Sequence, residues 1–583
     1  MSEQAMFRSR VYLPLIILIS AVSACSQQGS ERIQLNQVGF TPSSPKIAVV
    51  TGKTDATKFY ITVNDSTLFT GSLSEERQSK NSSTVTKMAD FSAFNREGVY
   101  RISVPGVGTS YQFRIGKDVF SDVSKAVLKA YYFMRSDMPL DATYAGKWAR
   151  KAGHPDTAVL VHSSAATDAR PTGTIISSPK GWYDAGDYNK YIVNSGITTG
   201  TLLSSYEDFP DYFKKLNTNI PESKDAVPDI LNEVLYNLRW MLTMQDLNDG
   251  GVYHKLTNAV FDGMVPPGVT KDPRYVVQKS TAASLDFAAV MAQASRVFAG
   301  FKKQLPHLSD SCLNAALKAW DWAQKIPSVL YDQRSMNQTF SPAVTTGDYG
   351  DRSVNDEFYW AATELFATTQ DKFFLAVINE RVKDRVSLPG WNNVTMLGYY
   401  TFIRNEKKLK SLSSLIQAMK DTVIRMANDY LSAQTSNAFA TVIGGNRREF
   451  NWGSNSVAAN QGVLLTYAYN ITRERKYIDG ALSNLDYLLG RNATNYCFVT
   501  GIGTKSPMHP HHRPSVSDNI VEPVPGMLVG GPNPGQQDHC AYPFKEPETS
   551  YVDSDCAYAA NEIAINWNAP MVYLANAIRA LMK

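Results

Sequence analysis

The chain has 583 residues, of which 43% are hydrophobic, 19% charged and 11% aromatic, with a formal net charge of +4. That composition is ordinary for a globular protein, and the length leaves room for two domains. The small positive excess gathers into no dense Lys/Arg stripe, which excludes a nucleic-acid partner, whose polyanionic backbone demands one.

Arg8 and Arg10 precede an apolar run over 11–22, too short to hold a bilayer as a stable span, so residues 1–24 read as a signal segment outside the fold. Val22, Ser23, Ala24 and Cys25 close that run and resemble the bacterial lipobox. The resemblance implies lipidation at Cys25, a tether over 25–32 and a bacterial cell-envelope protein whose contact with the membrane is that anchor alone. A plain secretory peptide cut nearby is the alternative. The remaining cysteines, Cys312, Cys497, Cys540 and Cys556, lack the C-x-x-C spacing of a thiolate zinc site. Their spacing leaves disulfide pairing open, with Cys540 and Cys556 the nearest pair.

Over 33–117 the texture is that of half-buried strands, in short runs at 46–50, 58–63, 98–104 and 110–115 rich in Val, Ile, Thr and Tyr and bounded by turn formers. Such spacing predicts a β-sandwich of immunoglobulin type. After Lys117 the period changes to that of a helix, as Val123, Ala126, Val127, Ala130 and Tyr131 recur at three-to-four spacing. Similar segments lie at about 227–245, 279–299, 309–325, 355–369, 372–384, 411–432, 455–472, 475–489 and 559–582. They predict an all-α toroid over 118–583, with long loops at 137–187 and 492–555 carrying function.

Three constellations carry chemistry. Asp184 and Asp187 flank Gly186 between Trp182, Tyr183 and Tyr188, so two like charges share one tight turn and perturb each other's proton affinity; a surface Asp/Gly turn is the bland reading. His509, His511, His512 and Arg513 crowd a loop punctuated by Pro510 and Pro514. Prolines enforce an extended chain there, which suits hydrogen bonds to a polyhydroxylated ligand better than a metal site. Glu562 stands at the start of the last apolar segment, where an apolar setting would hold its proton and suit a general acid; an ordinary helix N-terminal Glu is the alternative.

Together these motifs resemble glycoside hydrolase family 9, in the subgroup with an N-terminal immunoglobulin-like domain. Leu35, Asn36, Gln37, Val38, Gly39 and Phe40 are similar to that subgroup's first strand. Asp184 to Asp187 match its catalytic Asp-Ala-Gly-Asp, Trp452 to Asn455 a cleft-lining motif, and the His/Arg loop and the Asn561–Glu562 pair its two signatures.

The resemblance implies a two-domain (α/α)6 enzyme. In it Asp187 is the base, assisted by Asp184, Glu562 is the acid, and His511, Arg513, His254, Trp452 and Tyr558 contact the sugar. The implied activity is inverting endo-hydrolysis of β-1,4-glucosidic bonds in a cellulose-like glucan, mixed-linkage glucan or xyloglucan. An exo-acting member and a glycan-binding lipoprotein that does not cut are the alternatives. No cofactor is required, and Asp-rich loops offer ligands for a structural calcium ion. Two departures stand out: Ala557 replaces the family's usual Asp before the Tyr, and Trp567 stands where many members have Tyr.

Overall fold

The computed structural model describes residues 29–64, 66–381 and 386–582. The signal segment and Cys25 lie outside them. The first domain is a β-sandwich. One sheet orders Ile33–Gln34, Ile47–Thr51, Val85–Asp90 and Arg77–Gln78 side by side. The other orders Gly39–Phe40, Phe113–Ile115, Gly98–Val104, Lys58–Val63 and Ser66–Ser72. Side chains alternate as a pleated strand requires: Tyr100, Ile102 and Val104 are buried while Val99 is exposed. The strand expected from 110 begins only at Phe113. The Ser110 hydroxyl accepts the Ile102 N–H at 2.9 Å and donates to the Tyr111 carbonyl at 2.8 Å, interrupting the ladder.

From Ser121 the chain is mostly helical. Twelve helices of ten or more residues follow among the described residues: α1 (Ser121–Met134), α2 (Ile192–Asp208), α3 (Asp229–Thr243), α4 (Thr281–Phe298), α5 (Leu308–Lys325), α6 (Asn355–Thr369), α7 (Lys372–Arg381), α8 (Thr395–Arg404), α9 (Ser413–Gln434), α10 (Ser454–Thr472), α11 (Arg475–Leu488) and α12 (Ile565–Leu581). Two kinds alternate. Helix α9 buries only Ile416, Met419, Val423 and Ala427, one stripe at helical spacing. Helix α4 is buried on nearly every side. The buried helices adjoin one another, α2 on α4, α4 on α6, α6 on α8, α10 on α12 and α12 on α2, and amphipathic neighbours such as α5, α7 and α11 cover them.

Helices α2 and α8 fall outside the segments marked by sequence periodicity. In α2 nearly every residue is buried, including Asn194, Ser195, Thr198, Thr199 and Thr201, so no polar face exists to reveal a period. Close approach explains part of its composition: a Cβ at Gly200 would come within 2.6 Å of the Trp360 ring.

The long segment before Asp187 is not an unstructured loop. It contributes to a five-stranded sheet ordered Ile175–Ile176, Val159–Val161, Arg274–Val276, Lys255–Asn258 and Lys190–Tyr191. The last expected helix is also broken. Tyr558–Asn561 forms one turn, Glu562 to Ala564 is extended, and α12 starts at Ile565.

The two domains dock through the first strand motif. Asn36 donates to the Asp486 carboxylate at 2.7 Å, the Gln37 N–H donates to the Leu489 carbonyl at 2.9 Å, and the Tyr111 hydroxyl donates to Asn495 at 2.7 Å.

Candidate active site

One cleft of about 1000 Å³ opens among the loops of the helical domain, and Asp184, Asp187, Trp452, His511, Arg513, Tyr558 and Glu562 all line it. Segments more than 370 residues apart meet there because Glu562, Ile563 and Ala564 each bridge a different neighbour, namely His511, Val529 and Ala185. Three bridges of this kind satisfy backbone groups that a continuous helix would have paired internally, which is why the helix breaks at Glu562.

The turn between the aspartates must be glycine. A Cβ at Gly186 would fall 2.2 Å from the His511 carbonyl oxygen and 3.1 Å from Glu562 Oε1. Its N–H donates to Glu562 Oε1 at 3.3 Å, and its carbonyl accepts Arg513 Nη1 at 2.8 Å. Arg513 also donates through Nε to the Asp262 carbonyl at 2.9 Å. The guanidinium thus fastens the loop carrying both aspartates as well as lining the cleft.

Each aspartate carries two donors. Asp184 accepts from Asn194 at 2.5 Å and from the Tyr349 hydroxyl at 2.7 Å. Asp187 Oδ2 accepts from Asn189 at 2.8 Å and from the Tyr191 hydroxyl at 2.9 Å, whereas its Oδ1 has no donor among the described residues. The small sheet sets these donors: Tyr191 pairs with Lys255, and the Asn258 N–H donates to Asn189 Oδ1 at 3.0 Å.

Burial, then the charge of Asp187, pushes the Asp184 carboxyl up to about 8, against the pull of its two donors. Burial, then the charges of Asp187 and Asp184, holds Glu562 well above the ordinary glutamate range. Burial and the neighbouring charges thus favour the protonated form of Glu562, in the same cleft as an Asp187 Oδ1 that has no donor among the described residues. Such a pair can give a proton on one side of a bond and take one on the other.

The remaining candidates separate. His511 bonds the Asp555 carbonyl through Nδ1 at 2.6 Å, and burial lowers the ring below the ordinary histidine value, favouring the neutral form. Asn561 holds this loop in place by donating to the His509 carbonyl at 2.7 Å. Trp452, 43% exposed, leans on Tyr558 with ring centroids 5.6 Å apart. Trp567 also lines the cleft, whereas Ala557 is buried outside its lining.

His254 does not reach the cleft. It is 1% exposed and stacked on Tyr331 at 4.0 Å, with Nε2 on the Asp348 carbonyl at 2.7 Å and Nδ1 on the Ser280 hydroxyl at 2.8 Å. Both ring nitrogens being committed, the expected sugar contact is corrected to an internal one.

Cys540 and Cys556 form a disulfide, Cα atoms 5.8 Å apart, in the wall that carries Asp555 and Tyr558. Cys312 and Cys497 are free and buried. Among the described residues no group of three or more His, Cys, Asp or Glu is placed to hold a metal, so the calcium expectation finds no carboxylate cluster there.

Asn189, Tyr191, Asn194 and Tyr349 were not singled out in the sequence. The first three follow Asp187 at two, four and seven positions, a spacing that could have flagged them. Tyr349 lies 165 residues from its partner Asp184 and carries no local signal. Trp391 and Phe261, also in the lining, carry none either.

With this geometry in view, the comparisons with known proteins are direct. Residues 120–575 match the model of glycosyl hydrolase family 9, and residues 28–109 match the cellulase N-terminal ig-like domain. The chain belongs to glycosyl hydrolase family 9 and is a glycoside hydrolase. It is 46% identical over 578 residues to the xyloglucan-specific endo-beta-1,4-glucanase of Bacteroides ovatus, covering 98% of each chain. It is 34% identical to endoglucanase D of Acetivibrio thermocellus, over 94% of this chain and 83% of that one. A solved Bacteroides ovatus family 9 structure superposes with a TM-score of 0.91 at 45% identity, over 95% of this chain and 100% of the other.

Proposed function

We propose that this protein hydrolyses internal β-1,4-glucosidic bonds of xyloglucan with inversion, using Asp187 as base, Asp184 as its assistant and Glu562 as acid. The observation that carries this reading is one cleft that holds both Glu562, whose protonated form burial favours, and Asp187 Oδ1, which has no donor among the described residues. Asp187 takes a proton from water as the water attacks the anomeric carbon, and Glu562 gives its proton to the departing glycosidic oxygen. An inverting pair leaves room for that water, with carboxyl groups roughly 6.5–9.5 Å apart. Exposed Trp452 with Tyr558, and Trp567, offer apolar faces for sugar rings, while Arg513 brings hydrogen-bond donors to the same cleft and His511, whose Nδ1 proton is committed to the Asp555 carbonyl, brings an acceptor in Nε2. The substrate choice is supported by the relative from Bacteroides ovatus, whose name states xyloglucan specificity.

The architecture fits the reading as an (α/α)6 toroid, in which α2, α4, α6, α8, α10 and α12 form the inner ring and the remaining six the outer. We also propose anchoring to the bacterial cell envelope through lipidated Cys25, on the strength of Val22 to Cys25.

The decisive experiment is hydrolysis of xyloglucan, barley β-glucan and carboxymethyl cellulose, with NMR reading the product anomer and viscometry the mode of attack. The expected outcome is release of the α-anomer, early loss of viscosity and highest kcat/KM on xyloglucan. Glu562→Ala and Asp187→Ala should each lose about 10²-fold or more in kcat, the span of general acid–base catalysis. A β-anomer, or full activity in either variant, would sink the mechanism; slow viscosity loss would favour exo action.

A further inference from the structure

Gly347, Asp348 and Tyr349 line the cleft as a short strap. Tyr349 is the residue that bonds Asp184, yet its φ of +47° lies in the left-handed region that an aromatic residue rarely occupies. Its ring touches Tyr191 and Trp391 edge-on, with centroids 4.9 and 5.5 Å away. A residue in that conformation persists only where its surroundings hold it.

The hold comes from behind the cleft. His254 Nε2 meets the Asp348 carbonyl at 2.7 Å, and a carbonyl only accepts, so the proton lies on Nε2. The fully buried Lys255 ammonium donates to the Gly347 carbonyl at 2.6 Å, to Thr346 Oγ1 at 3.1 Å and to Gln333 Oε1 at 2.5 Å. It lies 3.5 Å from the Thr346 carbonyl, so all its near partners are uncharged oxygens. Burial lowers this ammonium to about 7, and packing alone gives no reason for a lysine there, since a buried amine, charged or not, is costlier than an apolar side chain of the same length. Lys255 is also the strand partner of Tyr191, the phenol that bonds Asp187. The two phenols serving the two aspartates are therefore held from one dipeptide.

We propose that Lys255, with His254 beside it, is a positioning residue for the hydrolytic reaction: its ammonium clamps the strap at Thr346 and Gly347 and so sets the Tyr349 phenol on Asp184. This rests on the reading that Asp184 assists Asp187. The clamp accounts for His254 as well, which grips the same strap one residue further on.

A double-mutant cycle on polymer hydrolysis tests it, with melting temperature measured in parallel. Tyr349→Phe and Lys255→Met should each lower kcat about 10-fold or more while KM changes less than about 2-fold. The Lys255→Met/Tyr349→Phe double variant should be no slower than Tyr349→Phe alone, because the lysine acts through the phenol. Multiplicative losses, unchanged kcat in Lys255→Met, or an effect on KM alone would overturn the clamp. Should Lys255→Met fail to fold, Thr346→Val carries the same test, with a smaller kcat loss that vanishes in the Tyr349→Phe background. Asp184→Asn is run alongside: full activity there would remove the assisting role of Asp184 itself, which separates that failure from failure of the clamp.

Discussion

Two carboxyl groups of the cleft are driven upward by their surroundings. Asp184 and Glu562 are both held above their ordinary range, and in both cases burial acts first and the Asp187 charge second. In the proposed mechanism Glu562 is the proton donor, so the alkaline limb of kcat/KM should report the loss of its proton. Because the Asp184 charge is among the causes that raise Glu562, removing it should let Glu562 ionise more easily. Asp184→Asn is therefore expected to move the alkaline limb to lower pH, beside any loss in kcat; a pH-rate profile reads this directly, and an unmoved or raised limb would contradict the coupling. That these residues share one cleft agrees with the motifs that mark them as candidates. Their donors were only partly legible in the sequence, because Tyr349 reaches Asp184 across 165 residues of chain.

Between helices the same physics appears without catalysis. Asp286 on α4 has two carboxylate oxygens with no donor among the described residues, and Glu357 on α6 has two more. Burial, then the charges of Asp356 and Asp351, raises Asp286; burial, then Asp356, Asp286 and Asp351, raises Glu357. A carboxyl raised in the folded state contributes stability that is fully present below its unfolded value, about 4, and is lost as pH rises through the folded value. Asp286→Asn, which has no charge to lose, should therefore melt above the parent at pH 8, the difference shrinking toward pH 4. Calorimetry across that range checks it, and a variant less stable at pH 8 would refute the sign. Element boundaries show a related limit of the sequence. Periodicity reveals amphipathic helices such as α9 but not α2, whose polar residues are as buried as its apolar ones. It also runs through Glu562 to Ala564, where three bridges to distant loop segments replace helical bonds.

At the scale of the whole molecule, the sandwich is docked on the helical domain by buried polar contacts rather than joined by a free linker. Asn36 and Arg491 both grip Asp486, at 2.7 and 2.8 Å, and burial pushes that carboxyl up to about 6. The proposed anchor at Cys25 precedes this sandwich in the chain, so the helical domain would follow the sandwich to the membrane. Cys25→Ser should shift activity from the membrane to the soluble fraction of cells with kcat/KM on xyloglucan unchanged; activity that is soluble already in the parent would refute the anchor.

The family and the two domain types follow from the chain alone, because they depend on local period and on short motifs whose residues are chain neighbours, and the same motifs nominate Asp184, Asp187 and Glu562 as candidates. The tertiary structure alone decided that His254 faces inward, that Glu562 sits on an extended break between helices, that the segment before Asp187 joins a sheet, and that Cys540 pairs with Cys556. Each of those depends on which distant backbone group satisfies a hydrogen bond or fills a neighbouring space, and neither composition nor period records that choice.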